Sequence, residues 1–290
     1  MGNYIFYTPR DLAELLLQFV PRQKQIHSIT DICCGSWNLL SAAKKRYPNA
    51  KIVGVDIDKT MVKNRLSNAE FVHSDGREYA DSQVAQNHSF DLILSNPPFG
   101  ALDKTEKKYS VKGNALARSK RYEAEMLWSN YQLMNYNSIL IIILPSTYVD
   151  GTSYVRYRKW LAQNCNVLDI IHLPQNTFGK SNLKTVALVL EKRQTCDTSI
   201  LTNFHQAIFD GQWSISYSYT LPQTTIESGI WCKTTEKTTP IDNLHVFRGN
   251  ISSKAFLNTG DAILHCSSNF FRNYWHPSIR KCDGSTITHP

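Results

Sequence analysis

Asn96-Pro97-Pro98-Phe99 follows an apolar run, Phe90 to Leu94, that reads as a buried strand. Two successive prolines fix φ and supply no N–H, so the strand must end in a stiff loop that neither extends a sheet nor starts a helix turn. Such a loop offers backbone carbonyls, one amide side chain and one aromatic ring in a nearly fixed arrangement. This suits a planar group bearing an NH2. The Asn96 side-chain oxygen and the Pro97 carbonyl can accept its two N–H bonds while Phe99 lies against its face. The bland alternative is a Pro-rich turn with a packing phenylalanine, and only the rest of the chain can decide between them.

A second constellation lies upstream. Asp31-Ile32-Cys33-Cys34-Gly35-Ser36 follows a strand and opens a helix, and about 20 residues on Asp56 ends the next strand. A glycine turn lets a cofactor approach the backbone, and the carboxylate can accept ribose hydroxyls. A dinucleotide site wants further glycines where Trp37 and Leu40 stand, which argues against NAD or FAD and for a smaller adenosine-bearing cofactor. Asp75, before Gly76, ends another strand and could read an adenine amino group. A turn-forming Asp-Gly is an equally good account of that pair in isolation.

These residues need a scaffold of alternating strands and helices. Thr8 can cap a helix with Pro9 at its first position, and Leu12, Leu15, Leu16 and Phe19 recur at helical spacing up to Pro21. Strands are expected at 26–32, 51–55, 69–73, 90–94, 138–144, 167–173 and 185–191. Helices are expected at 39–46, 59–66, 123–136 and 154–165. Beyond residue 195 the alternation stops and Ser, Thr, Asn and scattered aromatics dominate. This places a boundary between a domain of residues 1–195 and a smaller C-terminal region, 196–290.

The 290 residues, 42% of them apolar, suffice for a full core. No apolar run reaches the length of a membrane span and no basic-then-apolar leader opens the sequence, which predicts a cytoplasmic protein with no membrane partner. Seven cysteines without regular pairing fit a reducing compartment, and no Cys/His set has zinc spacing, so no metal is expected. The net charge of +8 is mild evidence for an anionic partner. More telling is the run of Lys104, Lys107, Lys108, Lys112, Arg118, Lys120 and Arg121 directly after the Asn-Pro-Pro-Phe loop. A basic loop beside a site for a planar amine could clamp a phosphate backbone.

Taken in order, these segments resemble the S-adenosylmethionine (SAM)-dependent adenine-N6 DNA methyltransferases, the N-6 DNA methylases of restriction-modification systems. The likeness spans residues 4–192. It implies an α/β, Rossmann-like SAM-dependent methyltransferase fold with a mixed, mostly parallel sheet. Tyr7-Thr8-Pro9 is similar to the segment beside the methionine part of SAM, and Asp31, Cys33 and Gly35 fall in the glycine-rich cofactor loop. Asp56, with Ile57, matches the ribose-binding acid, and Asp75, with Gly76, the acid near the cofactor adenine. Asn96 to Phe99 is the catalytic tetrapeptide, Asn96 also bordering the cofactor. Phe178-Gly179 with Thr185-Val186-Ala187 resembles the segment that holds the flipped base, and Lys104, Lys107 and Lys108 would meet the DNA backbone.

The resemblance implies methyl transfer to adenine N6 without a covalent enzyme intermediate, and partners that include double-stranded DNA and a specificity subunit or restriction endonuclease. Cytosine-C5 chemistry is not expected of Cys33 or Cys34, because the Pro-Cys it needs is absent. Residues 241–270 resemble the start of a target-recognition region. Trp37 stands where the family has a second glycine. A non-catalytic DNA-binding subunit is therefore one alternative; an rRNA or protein-glutamine methyltransferase of the same fold is the other.

Overall fold

The computed structural model describes residues 6–102, 116, 120–151, 154–179, 183–193, 200–224 and 226, and the backbone of 263–264, 279–280 and 286–287. Two compact units divide the chain, Met1–Trp231 and Cys232–Pro290.

The first unit is built on one sheet of nine strands. In chain order they are β1 (Ser28–Asp31), β2 (Lys51–Asp56), β3 (Ala69–His73), β4 (Phe90–Ser95), β5 (Met134–Pro145), β6 (Cys165–His172), β7 (Thr185–Lys192), β8 (Leu201–Phe209) and β9 (Trp213–Pro222). Their spatial order is β3-β2-β1-β4-β5-β7-β6-β8-β9. Strands β1 to β5 pair in parallel; β7 runs antiparallel between β5 and β6, β6 and β8 are parallel, and β8 and β9 form a hairpin. The sheet is mixed and mostly parallel, as the resemblance implies.

The central strands of the sheet are covered on both faces, which explains why they read as continuous apolar runs. Successive side chains go to opposite cores. Ile139, Ile141 and Ile143 join Leu92 and Leu94 on one face, where α1 (Arg10–Leu17) and α2 (Asn38–Arg46) supply Leu12, Leu16 and Leu40. Leu140, Ile142 and Leu144 join Phe90 and Ile93 on the other. There α3 (Gly76–Ala85) supplies Tyr79, α4 (Tyr122–Gln132) Leu127 and α6 (Val155–Asn164) Trp160. A one-turn helix, α5 (Thr147–Asp150), precedes α6.

Several local expectations need correction. Thr8 does not cap α1. The cap position is Pro9, with no side-chain hydrogen bond, and the Thr8 hydroxyl is used elsewhere. Residues 59–64 form a 3-10 helix closed by the Asp58 carboxylate on the Thr60 amide. Helix α4 stops at Gln132 because the Phe90 amide takes the Leu133 carbonyl and Met134 already pairs with Phe90, which starts β5 early. Helix α3 has no counterpart among the expected helices; Asp75, just after β3, caps it on the Arg77 amide. Strands β8 and β9 lie beyond residue 195 yet continue the main sheet, so the compact unit runs past the expected boundary.

In the second unit, β10 (Ile263–Leu264), β11 (Ile279–Arg280) and β12 (Thr286–Ile287) form a small antiparallel sheet. Apart from the Ile263–Leu264 backbone, the recognition-like stretch 241–270 lies outside the described residues. Among the described residues, no helix is long and apolar enough to cross a membrane.

Candidate active site

The sheet's order reverses between β1 and β4. Their carboxyl-end loops diverge there and leave a crevice, the usual ligand position in open α/β sheets. A cleft of about 240 Å³ opens at this point. It brings together Tyr7, Thr8, Asp31, Cys33, Gly35, Asp56, Ile57, Asp75, Gly76, Asn96 and Pro98, residues drawn from five separate stretches of sequence.

Asn96 is held from one side. Its Nδ2 donates to the Phe6 carbonyl at 2.8 Å and to the Thr8 hydroxyl at 3.1 Å. A carbonyl can only accept, so this pairing sets which end of the amide is which. The Asn96 Oδ1 is buried and has no hydrogen-bond partner among the described residues. A buried acceptor left unmade costs roughly 1–3 kcal/mol, and here it belongs to a residue that borders the cleft. Thr8 is itself tied down, because Asn38 Nδ2 donates to its carbonyl at 2.8 Å. The segment Phe6 to Thr8 thus strings the start of α2 to the end of β4.

The ring positions differ from expectation. Phe99 is 4% exposed and Phe178 8% exposed, and neither lines the cleft. Both pack against Phe6, with ring centroids 6.3 and 5.8 Å away. Pro97 is buried, and Pro9 is the cap residue of α1; neither borders the cleft. Lys104, Lys107 and Lys108 lie outside the described residues. The ends of their segment meet, since Ala101 bridges Arg121 and the Leu102 amide donates to the Lys120 carbonyl at 2.8 Å.

The loop after β1 turns at Gly35, whose φ of +46° belongs to the left-handed region. A Cβ there would stand 2.8 Å from the Tyr7 ring. The Gly35 amide donates to Asp56 Oδ2 at 2.8 Å, and the other oxygen accepts from the Asp58 amide at 2.9 Å. Next comes Trp37, at φ +67° and 1% exposed. Its indole does not enter the cleft. It lies over Gly54 of β2, beside the Phe71 ring, and its Nε1 donates to the Met61 carbonyl at 3.1 Å. Neighbouring Ser36 and Asn38 face the cleft instead.

Asp75 is engaged by Arg77, whose Nε and Nη2 donate to its two oxygens at 3.0 and 2.5 Å. Burial pulls this carboxyl up, but the Arg77 hydrogen bonds and charge outweigh it and hold the group below its ordinary value. The Arg77 guanidinium lies 5.7 Å from the centre of the Tyr122 ring. Gly76 admits a close approach: a Cβ there would stand 2.1 Å from the Ile32 carbonyl oxygen. Ile57 is 68% exposed on the rim, an apolar surface left for a flat ligand.

Sequence reading missed Phe6, Asn38, Arg77, Tyr122 and Met126, all of which line the cleft. Only Asn38 had a local signal, its place at the start of a helix beside the glycine turn. Burial pushes the Cys33 and Cys34 thiols up, so neither supplies a ready thiolate.

Burial also pushes the Asp31 carboxyl up to about 7; the Cys33 amide opposes this and Asp56 adds to it. The native state keeps this proton through a window where the unfolded chain has lost it. Stability should therefore fall as the pH rises from about 4 to about 7 and level off above that. Asp31→Asn keeps an acceptor for the Cys33 amide, which donates to Asp31 Oδ1 at 3.0 Å. That variant should flatten the slope in a denaturation series across pH. An unchanged slope would show that Asp31 is ionised in the native protein.

The cleft offers acids at strand ends, an apolar rim, a glycine turn open to backbone approach and a buried oxygen without a partner among the described residues, a lining that suits an adenosine-bearing ligand. The fold is that of SAM-dependent methyltransferases. Residues 2–212 match the family model for N-6 DNA methylase, and the chain belongs to that family. It is 25% identical over 163 residues to the type II methyltransferase M.VspI of Vibrio sp. (strain 343), covering 53% of this chain and 40% of that one. It is 25% identical over 218 residues to the type I restriction enzyme MpnII methylase subunit of Mycoplasma pneumoniae, covering 65% and 40%. Among solved structures it is similar to the type I restriction-modification methyltransferase subunit from Streptococcus thermophilus, with a TM-score of 0.56 and 21% identity, covering 69% of this chain and 47% of that one. The chain spans about 40% of the length of the two curated relatives.

Proposed function

We propose that this chain transfers the methyl group of SAM to the N6 amino group of adenine in DNA, as the modification activity of a restriction-modification system. The observation that carries the reading is the Asn96 oxygen: buried, unpartnered among the described residues, fixed by its own NH2 on Phe6 and Thr8, and bordering the cleft.

Bound SAM would supply an electrophilic methyl group on a sulfonium. Asp56 and Asp75 would hold its ribose and adenine ends, Ile57 would cover the adenine face, and the Gly35 turn would let its amino-acid end approach the backbone. The N6 lone pair of adenine is delocalised into the ring and is a poor nucleophile. Accepting one N–H at Asn96 Oδ1 and the other at the Pro97 carbonyl would localise that pair towards the methyl group. Orientation of this kind can supply several kcal/mol. The base must leave the duplex stack, and in this reading Phe99, now packed on Phe6, turns a face to it.

The basic stretch 104–121 supports DNA as the macromolecular partner. The likeness to a type I restriction enzyme methylase subunit supports a specificity subunit or restriction endonuclease as a further partner. A cytoplasmic location follows from the same reading.

The test is labelled methyl transfer from SAM to plasmid DNA, ribosomal RNA and protein, with SAM affinity measured by calorimetry. Label in DNA as N6-methyladenine, with measurable SAM binding, is the expected result. Label confined to RNA or protein would move the substrate elsewhere. The absence of SAM binding would leave a DNA-binding subunit.

A further inference from the structure

We infer that Glu123 is a positioning residue that clamps the far end of the Asn96–Phe99 loop. This rests on the methyl-transfer reading, but concerns a residue that lies outside the cleft.

Asn96 is anchored upstream by Phe6 and Thr8. A loop fixed at one end only would let the Pro97 carbonyl and Asn96 oxygen drift relative to each other. The downstream anchor is a carboxylate. Glu123, in the first turn of α4, is fully buried. Its Oε2 accepts from the Gly100 amide at 2.9 Å, one residue after Phe99. Its Oε1 accepts from the Arg121 Nε. Gly100 has φ +143°, a conformation L side chains rarely adopt. Its carbonyl takes the Tyr122 amide at 3.0 Å, and Ala101 bridges Arg121. The backbone contacts alone would close the segment after Gly100. Among the described residues it is the Glu123 carboxylate that reaches the Gly100 amide, and so sets where the tetrapeptide ends.

The role calls for a hydrogen-bond acceptor of this length more than for a charge. A glutamine oxygen can still take the Gly100 N–H, at the loss of the Arg121 contact, whereas an alanine leaves that part-buried amide without its partner.

The test uses the full chain with Glu123→Ala and Glu123→Gln. The Ala variant should lose about 100-fold in kcat for DNA methylation, the cost of displacing reacting groups by about an ångström. Its SAM Kd should stay within about threefold of wild type, because Asp31, Gly35, Asp56 and Asp75 are untouched. Amide hydrogen exchange over residues 95–102 should rise at least about tenfold, with β1 and β2 unchanged. The Gln variant should restore most of the activity and of the protection. The proposal is overturned if kcat of the Ala variant stays within about threefold of wild type, if Gln is as impaired as Ala, or if exchange rises uniformly across the sheet. Should Ala not fold, Glu123→Asp, whose carboxylate is one methylene too short to reach the Gly100 amide, carries the same criteria. Wild type without methyl transfer would overturn the enzyme reading alone, and the exchange measurement would still judge the clamp.

Discussion

Asn96→Ala should bind SAM with near-native affinity and transfer its methyl group about 10²–10³ times more slowly, the usual cost of removing one preorganised polar group from a reacting centre. The substitution deletes the buried oxygen that waits for a partner together with the NH2 that holds the Phe6 carbonyl and Thr8 hydroxyl. Losing the first relieves a penalty and losing the second imposes one of similar size, so the net change in stability should be small. Methyl transfer should therefore fall far more than Tm. Asn96→Asp is the sharper variant. A carboxylate cannot donate to the Phe6 carbonyl and would repel it, so the acceptor geometry fails although an oxygen is still present. Single-turnover transfer to adenine-containing DNA at saturating SAM checks both. An Ala variant within about tenfold of wild type would remove Asn96 from the chemistry.

How much of this site could be read in advance depended on whether each residue acts through its neighbours in sequence or through space. The Asn-Pro-Pro loop was legible because the prolines dictate its backbone and the preceding apolar run dictates its place at a strand end. Gly35 and Asp56 were legible through the spacing of a βαβ unit. Phe6 was not, and Asn38 was only by its place at a helix start: the first matters through a carbonyl 90 residues from its partner in sequence, the second through the Thr8 carbonyl 30 residues away. No local pattern encodes such pairings. Helix α3 was missed because its start, Asp75-Gly76, has the composition of a turn. The carboxylate that would close a turn instead caps the helix on the Arg77 amide. Strands β8 and β9 were missed for a different reason. The Ser/Tyr alternation of β9 and the polar residues interspersed in β8 are those of a half-exposed hairpin at a sheet edge, unlike the continuous apolar runs of the buried strands.

Trp37 gives the largest expected effect on folding. The residue departs from the resembled pattern, yet the space it needs comes from another glycine, Gly54, at the centre of β2. A Cβ on Gly54 would stand 2.6 Å from the indole Cη2, 2.7 Å from Cζ2 and 3.0 Å from a Leu40 methyl. Indole and glycine are thus complementary halves of one contact, which is how a large side chain at this turn leaves the cleft open. Gly54→Val should cost about 1–3 kcal/mol through overpacking. It should also weaken SAM binding, because the displaced indole takes the Ser36–Asn38 turn with it. Trp37→Ala alone should cost about 3–5 kcal/mol through the void it leaves. Combined, the two should be less damaging than their sum by about 1 kcal/mol or more, since the valine then fills space that the indole has vacated. Chemical denaturation of the four proteins in the cycle measures this coupling, and calorimetry measures the partial return of SAM binding. Strict additivity would show that the indole does not rest on Gly54.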